Sequence, residues 1–211
     1  MIFYGKIELR IKSRLVIGGH VIESSGHEVY AFTMKSVSAR ILMTIAAANN
    51  LDFLTGDIGN AYLNANTKEK IYTCAGAEFE VVGMMTEGTL LKVIKAVYGI
   101  PTSGNSWHAH LLYTLREMVY KPTRFDLDVW IRGREGSYDY IGTQTDDVLA
   151  VAVEPTSIFE NLKKTYILKT FGPPKFHPVF DYAQVKKGMQ LGGSWVLLPL
   201  LRNILGIFMP Y

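Results

Sequence analysis

The sequence predicts an α+β fold in which helices cover one face of an antiparallel sheet built on a split βαβ unit. Three observations lead to this prediction. The predicted elements follow one another as strand, helix, strand, hairpin and helix, which is the order of such a unit. Residues 137 to 144 and 148 to 153 form the hairpin, and the second run, "VLAVAV", is apolar throughout, which indicates a strand buried on both faces. An amphipathic helix, "NSWHAHLLYTLREMVY", lies between strands.

Composition places the chain among globular proteins. Its 211 residues are 48% hydrophobic and 19% charged, which is enough apolar content for one or two lobes and too little polarity for disorder. The formal net charge of +3 permits a polyanionic partner without requiring one. The single cysteine, Cys74, excludes an internal disulfide and fits a reducing compartment.

The two ends of the sequence differ in character. The N-terminal "MIFYGKIELRIKSR" becomes charged too early for a secretory signal peptide, so we expect a cytoplasmic location. Residues 191 to 211 carry Arg202 as their only charged side chain and approach the ~20 apolar residues that span a bilayer. Glycine, proline and asparagine interrupt this stretch, so a divergent apolar tail, buried or exposed, is favoured over a membrane span.

The first half of the chain is predicted to contain a helix followed directly by a strand. The helix covers residues 34 to 50, and apolar residues recur on one of its faces at helical spacing. They are Val37, Ile41, Ile45 and Ala48. The strand covers residues 51 to 58 and delivers Asp57 near its far end. "YGIPTSG", residues 98 to 104, is predicted to be a turn because of its proline and glycines.

The second half begins with the amphipathic helix over residues 105 to 120. Its apolar stripe consists of Trp107, Leu111, Leu115 and Met118. A strand is predicted over 125 to 133, and the hairpin follows it. Pro155 starts another helix, with an apolar side formed by Ile158, Leu162 and Tyr166. A further strand is predicted near 179 to 187.

"TDD", at the tip of the hairpin, has two interpretations. Adjacent aspartates are common in tight turns, and the motif alone favours that explanation for Asp146 and Asp147. In a split βαβ sheet, however, Asp57 can approach them, and two carboxylates at 4 Å repel by about 4 kcal/mol at an effective dielectric near 20. A pair of divalent cations such as Mg²⁺ would offset this repulsion and so account for such a cluster. His108 and His110 are poor metal ligands because they point to different faces of their helix.

Five blocks of the sequence carry a resemblance to a known family. They are "KSRLVIGGH", "SVSARILMTIAAANNLDFLTGDIGNAYLNANTKEKIYT", "KAVYGIPTSGNSWHAHL", "DLDVWIRG" and "TDDVLAVAVEP". In order and spacing they resemble the reverse transcriptase of copia-type retrotransposons, from residue 12 to about 187. The resemblance implies a right-hand polymerase with a fingers lobe and a palm. The fingers would lie mainly in 1–50 and 64–100, the palm mainly in 51–63 and 101–190, and 191–211 would be the divergent tail.

The resemblance also implies catalytic and metal-binding residues. Asp57 and Asp146 match the two metal-binding aspartates of the family, and Asp147 matches their neighbour. Together they would hold two Mg²⁺ ions, for which Mn²⁺ is a substitute. Ile58 would offer its backbone carbonyl to the metal of the nucleotide. Tyr62 matches the aromatic residue beneath the incoming sugar, where a ring leaves no room for a 2′-hydroxyl and so selects dNTP over rNTP.

Other matching residues would bind the nucleotide and template. Lys12 and Arg14 match basic residues of the fingers strand, a suitable pair for holding a triphosphate because arginine clamps phosphate bidentately and lysine supplies a point charge. A solvated strand face is an equally good explanation for these two residues. Tyr98 and Gly99 match the block that approaches the templating base. Trp107 fits the same block, but its helical spacing indicates a core position first.

The chain departs from the family at functional places. Gln144 and Thr145 stand where the family has tyrosine and an aliphatic residue, and glutamine cannot stack against a primer end. Pro101 replaces a basic residue, and "KFHPVFDYAQV" replaces a Leu-Gly turn. The expectation is therefore an RNA-directed DNA polymerase fragment, with a catalytically dead remnant that folds and binds nucleic acid as the alternative.

The resemblance implies partners as well. These are an RNA or DNA template-primer, dNTP, and other segments of a retrotransposon polyprotein such as RNase H and integrase, which we do not find in this sequence. An intact element would place the enzyme in a virus-like particle in the cytoplasm. Membrane association through the apolar tail is a third, weaker alternative, to be tested by deleting residues 191–211.

Overall fold

The structure, a computed structural model, describes residues 16–18, 33–81, 83–173, 182–185, 188–191 and 194–195. Within these ranges the helices are α1 (Ser36–Ala48), α2 (Ala61–Asn64), α3 (Ala77–Val81), α4 (Ser103–Glu117) and α5 (Pro155–Leu162). The strands are β1 (Asp52–Ile58), β2 (Asn66–Cys74), β3 (Leu90–Lys95), β4 (Lys121–Pro122), β5 (Val129–Arg134), β6 (Ser137–Gln144), β7 (Asp147–Ala152), β8 (Leu168–Gly172), β9 (Tyr182–Val185), β10 (Gly188–Leu191) and β11 (Ser194–Trp195). The chain is thus a mixed α and β protein with antiparallel sheets.

The largest sheet has six antiparallel strands in the order β4-β5-β6-β7-β1-β8. Its strand β7 is buried along Val148–Ala152, which confirms the prediction made from the apolar run. Val153, the last residue of that run, lies beyond the strand and is 63% exposed. The predicted strand over 125 to 133 begins later, at Val129. The backbone before it turns at Asp126, whose side-chain carboxylate accepts a hydrogen bond from the Asp128 N–H and whose carbonyl accepts one from the Val129 N–H.

Helices α4 and α5 cover one face of this sheet. Within the helices the predicted apolar stripes are confirmed: Trp107, Leu111 and Leu115 of α4 are buried, as are Ile158 and Leu162 of α5. The last predicted member of each stripe lies just beyond its helix, where Met118 is partly buried and Tyr166 is buried. They pack on the sheet residues that point to this face, which include Ile58, Ile141, Val148 and Ala150. The face has no space to spare, since a Cβ at Gly56 would lie 2.5 Å from the Phe159 ring. Burial of these large side chains supplies the main driving force for docking the two helices.

The opposite face is also covered, so the prediction that helices lie on one face is wrong. Helix α1 packs there against Phe53, Leu149 and Val151, the residues that alternate with the first face along β1 and β7. A sheet with one polar face needs cover on the other face only, but β7 is apolar at every position from Val148 to Ala152 and therefore requires cover on both faces.

The predicted apolar stripe of α1 is wrong in part. Val37 is 56% exposed, whereas Ser38 and Leu42 are buried with Ile45. The cause is the buried carboxylate of Asp126, which accepts hydrogen bonds from the Lys35 backbone N–H at 2.9 Å and the Ser38 hydroxyl at 2.5 Å. This anchor turns the start of the helix so that Ser38 faces inward.

Two smaller sheets complete the described structure. Strands β2 and β3 form an antiparallel hairpin that the sequence did not predict, and β9, β10 and β11 form a three-stranded sheet. Strand β9 lies within the range 179 to 187 in which a strand was predicted. The range from residue 196 onward, most of the predicted tail, lies outside the described residues. None of the helices in the described ranges is long and apolar enough to cross a membrane.

Candidate functional site

The strand register brings Asp57 beside the hairpin tip. Asp57 of β1 is the direct partner of Asp147 of β7, and directly opposed residues of antiparallel strands share a sheet face. That face is the one under α1, where Phe53 and Leu149 are buried. Asp57 and Asp147 continue it beyond the helix and are half-buried. The two carboxylates therefore lie at the open end of a face whose other end is packed.

The hairpin turn is held from two sides. Thr145 has a φ of +54°, an unusual value for a β-branched residue that costs on the order of 1–3 kcal/mol. Its carbonyl accepts a hydrogen bond from the Trp107 indole Nε1 at 2.7 Å. The carbonyl of Asp146 accepts one from the Ile58 backbone N–H at 2.8 Å. These bonds fix the turn against α4 and β1, so that the position of Asp146 depends on the buried core.

A lysine that the sequence did not single out contacts Asp57. The Nζ of Lys169, on β8, lies 2.9 Å from Oδ1 and 3.0 Å from Oδ2 of that carboxylate. No strand was predicted at residues 168 to 172, and without that strand Lys169 could not be placed beside β1. The available signal was the short run "LKTFG" directly after the last helix, in the place where a split βαβ unit returns to its first strand.

The pKa of Asp147 is raised by its surroundings. Burial, followed by the nearby charges of Asp146 and Asp57, raises the pKa of Asp147 to about 6, while Lys169 acts in the opposite direction. A carboxyl group with this pKa retains part of its proton near neutral pH when no cation is bound. The three aspartates are thus electrostatically coupled in the folded chain.

This coupling predicts a pH-dependent stability. The folded Asp147 carboxyl binds its proton more tightly than the unfolded one, so between about pH 4 and about pH 6 the free energy of unfolding falls as pH rises. Because the side chain is half-exposed, solvent screening limits the loss to about 1 kcal/mol. Asp147→Asn removes the charge, and at pH 7 it is expected to raise the free energy of unfolding by about that amount.

Urea unfolding of both chains at several pH values between 4 and 7, with EDTA present, measures this difference. The difference between the two chains isolates Asp147, since every other group titrates in both. Parallel stability curves for the parent and Asp147→Asn would contradict the predicted coupling.

The chemistry of the donors suits a hard divalent cation. Three carboxylates and a backbone carbonyl are oxygen ligands of the kind that Mg²⁺ prefers. In the part of the chain that the structure describes, no three histidine, cysteine, aspartate or glutamate side chains are gathered closely enough to hold a metal ion. The donors thus fit Mg²⁺ by chemical type, while their spacing in this structure is wider than a bound ion needs, and Asp57 is paired with the ammonium group of Lys169.

The two candidate tyrosines are brought together. Tyr62, on α2, packs its ring against Tyr98 with centroids 4.8 Å apart. Burial raises the pKa of Tyr62, and Tyr98 and Asp146 raise it further, which places this phenol within electrostatic reach of the turn. Gly99 has a φ of +94°, and a Cβ there would lie 1.8 Å from the carbonyl oxygen of Ile17. Glycine is therefore required at this position for backbone reasons.

The residues that depart from the family pattern have distinct surroundings. Gln144 pairs with Asp147 across the hairpin, and its buried amide oxygen finds no hydrogen-bond partner among the described residues. Pro101 is exposed just before α4. Lys12 and Arg14 lie outside the described residues. The strand segment that follows them reaches the site, since the backbone N–H of Ile17 donates to the Tyr98 carbonyl at 2.9 Å.

The two histidines of α4 are held in separate contacts. The Nε2 of His108 lies 2.5 Å from a carboxylate oxygen of the buried Asp128. The Nδ1 of His110 lies 2.9 Å from the hydroxyl of Tyr166. Neither lies in the carboxylate site, in agreement with the prediction that they point to different faces.

Comparisons with known proteins identify the family to which the chain is similar. Residues 3–196 match the model of a family described as "Reverse transcriptase (RNA-dependent DNA polymerase)". The chain is 26% identical over 172 residues, 78% of its length, to the retrovirus-related Pol polyprotein from transposon TNT 1-94 of Nicotiana tabacum. It is 23% and 24% identical, over 91% of its length, to the corresponding polyproteins from transposons RE1 and RE2 of Arabidopsis thaliana.

The chain covers 13% of the length of each of these polyproteins. No solved structure matches it significantly.

Proposed function

The chain belongs to the reverse transcriptase (RNA-dependent DNA polymerase) family, and we propose that it is the part of a copia-type retrotransposon polymerase that extends a primer with dNTPs on an RNA or DNA template. The observation that carries the proposal is the pairing of Asp57 with Asp147, next to Asp146 in the turn. Carboxylates at one end of a sheet face repel one another and need a cation to balance them.

The six-stranded sheet is proposed to be the palm, with the palm mainly in 51–63 and 101–190. Here β1, α4, the β6–β7 hairpin, α5 and β8 come in this order along the chain, with other elements inserted after β1 and after α4, and β8 returns to lie beside β1. This order supports a split βαβ unit. The fingers would lie mainly in 1–50 and 64–100 and include the β2–β3 hairpin, and 191–211 would be a divergent tail.

In the proposed reaction the 3′-hydroxyl of the primer attacks the α-phosphate of a dNTP, and pyrophosphate leaves. Asp57, Asp146, Asp147 and the backbone carbonyl of Ile58 would hold two Mg²⁺ ions, or Mn²⁺ in their place. When bound, such ions neutralise charge at the phosphate and lower the pKa of the attacking hydroxyl. The contribution of the protein is to fix the donor oxygens, and the hydrogen bonds from Ile58 and Trp107 to the hairpin turn serve this purpose.

The nucleotide would lie over the tyrosine pair. Tyr62 is proposed to sit beneath the sugar and to exclude a 2′-hydroxyl, and its packing against Tyr98 supports this role because the ring has little freedom to move aside. Tyr98 and Gly99 are proposed to approach the templating base. Lys12 and Arg14 are proposed to hold the triphosphate, on the family resemblance alone.

Partners and location are also proposals. The relatives are Pol polyproteins, so we expect the chain to work beside other polyprotein segments, including RNase H and integrase. A cytoplasmic virus-like particle is the proposed location.

A second candidate function is a remnant that binds nucleic acid without catalysis. Three observations favour it: the amide oxygen of Gln144, which has no hydrogen-bond partner in the described part of the chain, the strained Thr145 and the engagement of Asp57 by Lys169. Such a remnant would bind template-primer with an affinity that falls with salt, because the contacts would be to phosphates.

Primer extension on an RNA template with dNTPs distinguishes the two candidates. A polymerase extends the primer with Mg²⁺ and stops when EDTA is added. Absence of extension by a folded chain that still binds template-primer in a salt-dependent way would establish the remnant and overturn the polymerase.

A further inference from the structure

We propose that Lys169 is a built-in counter-cation of the carboxylate site, which competes with divalent metal ions for Asp57 and so sets the metal affinity of the chain. This inference rests on the proposed function, because it takes the carboxylates to be metal ligands. It assigns Lys169 a role in metal affinity that is separate from the chemical step.

The contact engages both oxygens of the carboxylate. Lys169 Nζ donates to Oδ1 at 2.9 Å and to Oδ2 at 3.0 Å. Its positive charge therefore lies on the edge of Asp57 that a cation would use. A metal ion that binds through this edge must take at least one of these oxygens from the ammonium group.

An irregularity in strand pairing aims Lys169 at this carboxylate. On β8, Thr170 pairs with Asp57 and Leu168 pairs with Ile58, which leaves Lys169 as an extra residue between them. In a regular register Lys169 would be opposite Ile58 and would point into the core beneath α5. The bulge instead keeps Leu168 packed against the core and directs the lysine to the face of Asp57.

The backbone around the bulge is fixed on both strands. The N–H of Gly59 donates to the carbonyl of Ile167 at 2.7 Å, directly before β8. A Cβ at Gly59 would lie 3.0 Å from that carbonyl oxygen, so the close approach of the two strands favours glycine here. The lysine is therefore placed by the main chain and not by a chance side-chain contact.

A divalent cation can displace Lys169 from Asp57 because the ion pair is partly solvated and therefore weak. The side chains of Lys169 and Asp57 are 51% and 34% exposed. An ion pair of this kind is worth a modest free energy, which a divalent cation with two or three carboxylates can exceed. The lysine therefore weakens metal binding without preventing it.

The test measures Mn²⁺ binding to the full chain at pH 7.5 and low salt, by electron paramagnetic resonance of free Mn²⁺. Lys169→Gln is expected to bind Mn²⁺ about three- to tenfold more tightly than the parent, because one positive charge and two hydrogen bonds no longer compete. The gain should shrink as KCl is added. Lys169→Arg retains the charge and is expected to bind no more tightly than the parent.

Lys163→Gln is the matched control. Lys163 is 43% exposed, pairs with Glu160 at the end of α5, and loses the same charge. Its Mn²⁺ affinity is expected to stay at the parental value, and thermal unfolding checks that every variant is folded.

Two results would overturn the inference in different ways. Parental or weaker binding by Lys169→Gln, together with loss of binding in Asp57→Asn, would mean that the metal site exists and that Lys169 does not compete for it. Mn²⁺ binding that is unaffected by Asp57→Asn would show that Asp57 is not a metal ligand. That result would overturn both this inference and the metal-dependent mechanism of the proposed function.

Discussion

Asp57→Asn and Asp146→Asn are each expected to reduce Mg²⁺-dependent primer extension on the order of a hundredfold or more. Each substitution replaces a charged oxygen donor with a neutral amide at a position where positive charge must be held, and losses of this size accompany removal of a positioned group that stabilises charge in a reaction. The strand register supports treating the aspartates as one unit, since Asp57 opposes Asp147 directly.

These losses are not expected to come from unfolding. Asp57→Asn removes a partly exposed ion pair with Lys169, worth about 0.2–1 kcal/mol. It also removes a negative charge that raises the pKa of Asp147, and the two effects oppose each other. We therefore expect a change in unfolding free energy within about 1 kcal/mol, together with nearly complete loss of synthesis.

Asp52→Asn is the matched control for this pair of variants. Asp52 is exposed at the opposite end of β1, where it pairs with Ala152. It should retain parental extension. Equal activity in Asp52→Asn and Asp57→Asn would remove Asp57 from the proposed site, and activity retained by Asp146→Asn would do the same for the turn.

Trp107→Ala is expected to lower the free energy of unfolding by about 3–5 kcal/mol. The side chain is 1% exposed and packs at the centre of the face under α4 and α5. Its ring lies edge-on to Tyr166, with centroids 5.4 Å apart. Urea unfolding followed by far-ultraviolet circular dichroism measures the loss without relying on tryptophan fluorescence.

Trp107→Phe separates packing from the hydrogen bond to the turn. Phenylalanine keeps most of the buried ring but cannot donate to the carbonyl of Thr145, a net loss of about 1 kcal/mol. Because that bond holds the turn that carries Asp146, extension should fall by more than the stability change explains. Tyr113→Ala, at a 62% exposed position on the same helix, should change stability by less than about 0.5 kcal/mol. A Trp107→Phe chain with parental activity would show that the hydrogen bond does not position the turn.

The sequence was informative where periodicity and order decide the structure. The stripe of α4, the buried strand β7 and the approach of Asp57 to the hairpin all follow from patterns within short segments and from the order of elements. Sequence reasoning failed where a distant side chain decides. The orientation of α1 depends on Asp126, which lies 88 positions after Ser38, and no local pattern contains that contact.

The position of Lys169 could not be predicted either, because it too depends on a distant part of the chain. Its side chain points toward Asp57 only because β8 gains one residue relative to β1. Strand alternation read from the sequence would have assigned Lys169 and Ile58 to the same face. The helix layer on the second sheet face could have been predicted. The sequence indicated that β7 is buried on both faces, and burial on both faces requires a second layer.

The order of strands has a consequence for when the site can form during folding. Strand β1 is inserted between β7 and β8, and Asp57 meets Lys169 across 112 positions of sequence. Contacts that close such long loops are slow to form, because the chain loses conformational entropy before the contact contributes any stabilisation. We expect the hairpin and the helices to assemble first and the carboxylate end to be completed last. On the ribosome, a growing chain could therefore pair Asp57 with Asp147 only after β7 had emerged from the exit tunnel, and Lys169 would join the carboxylates last.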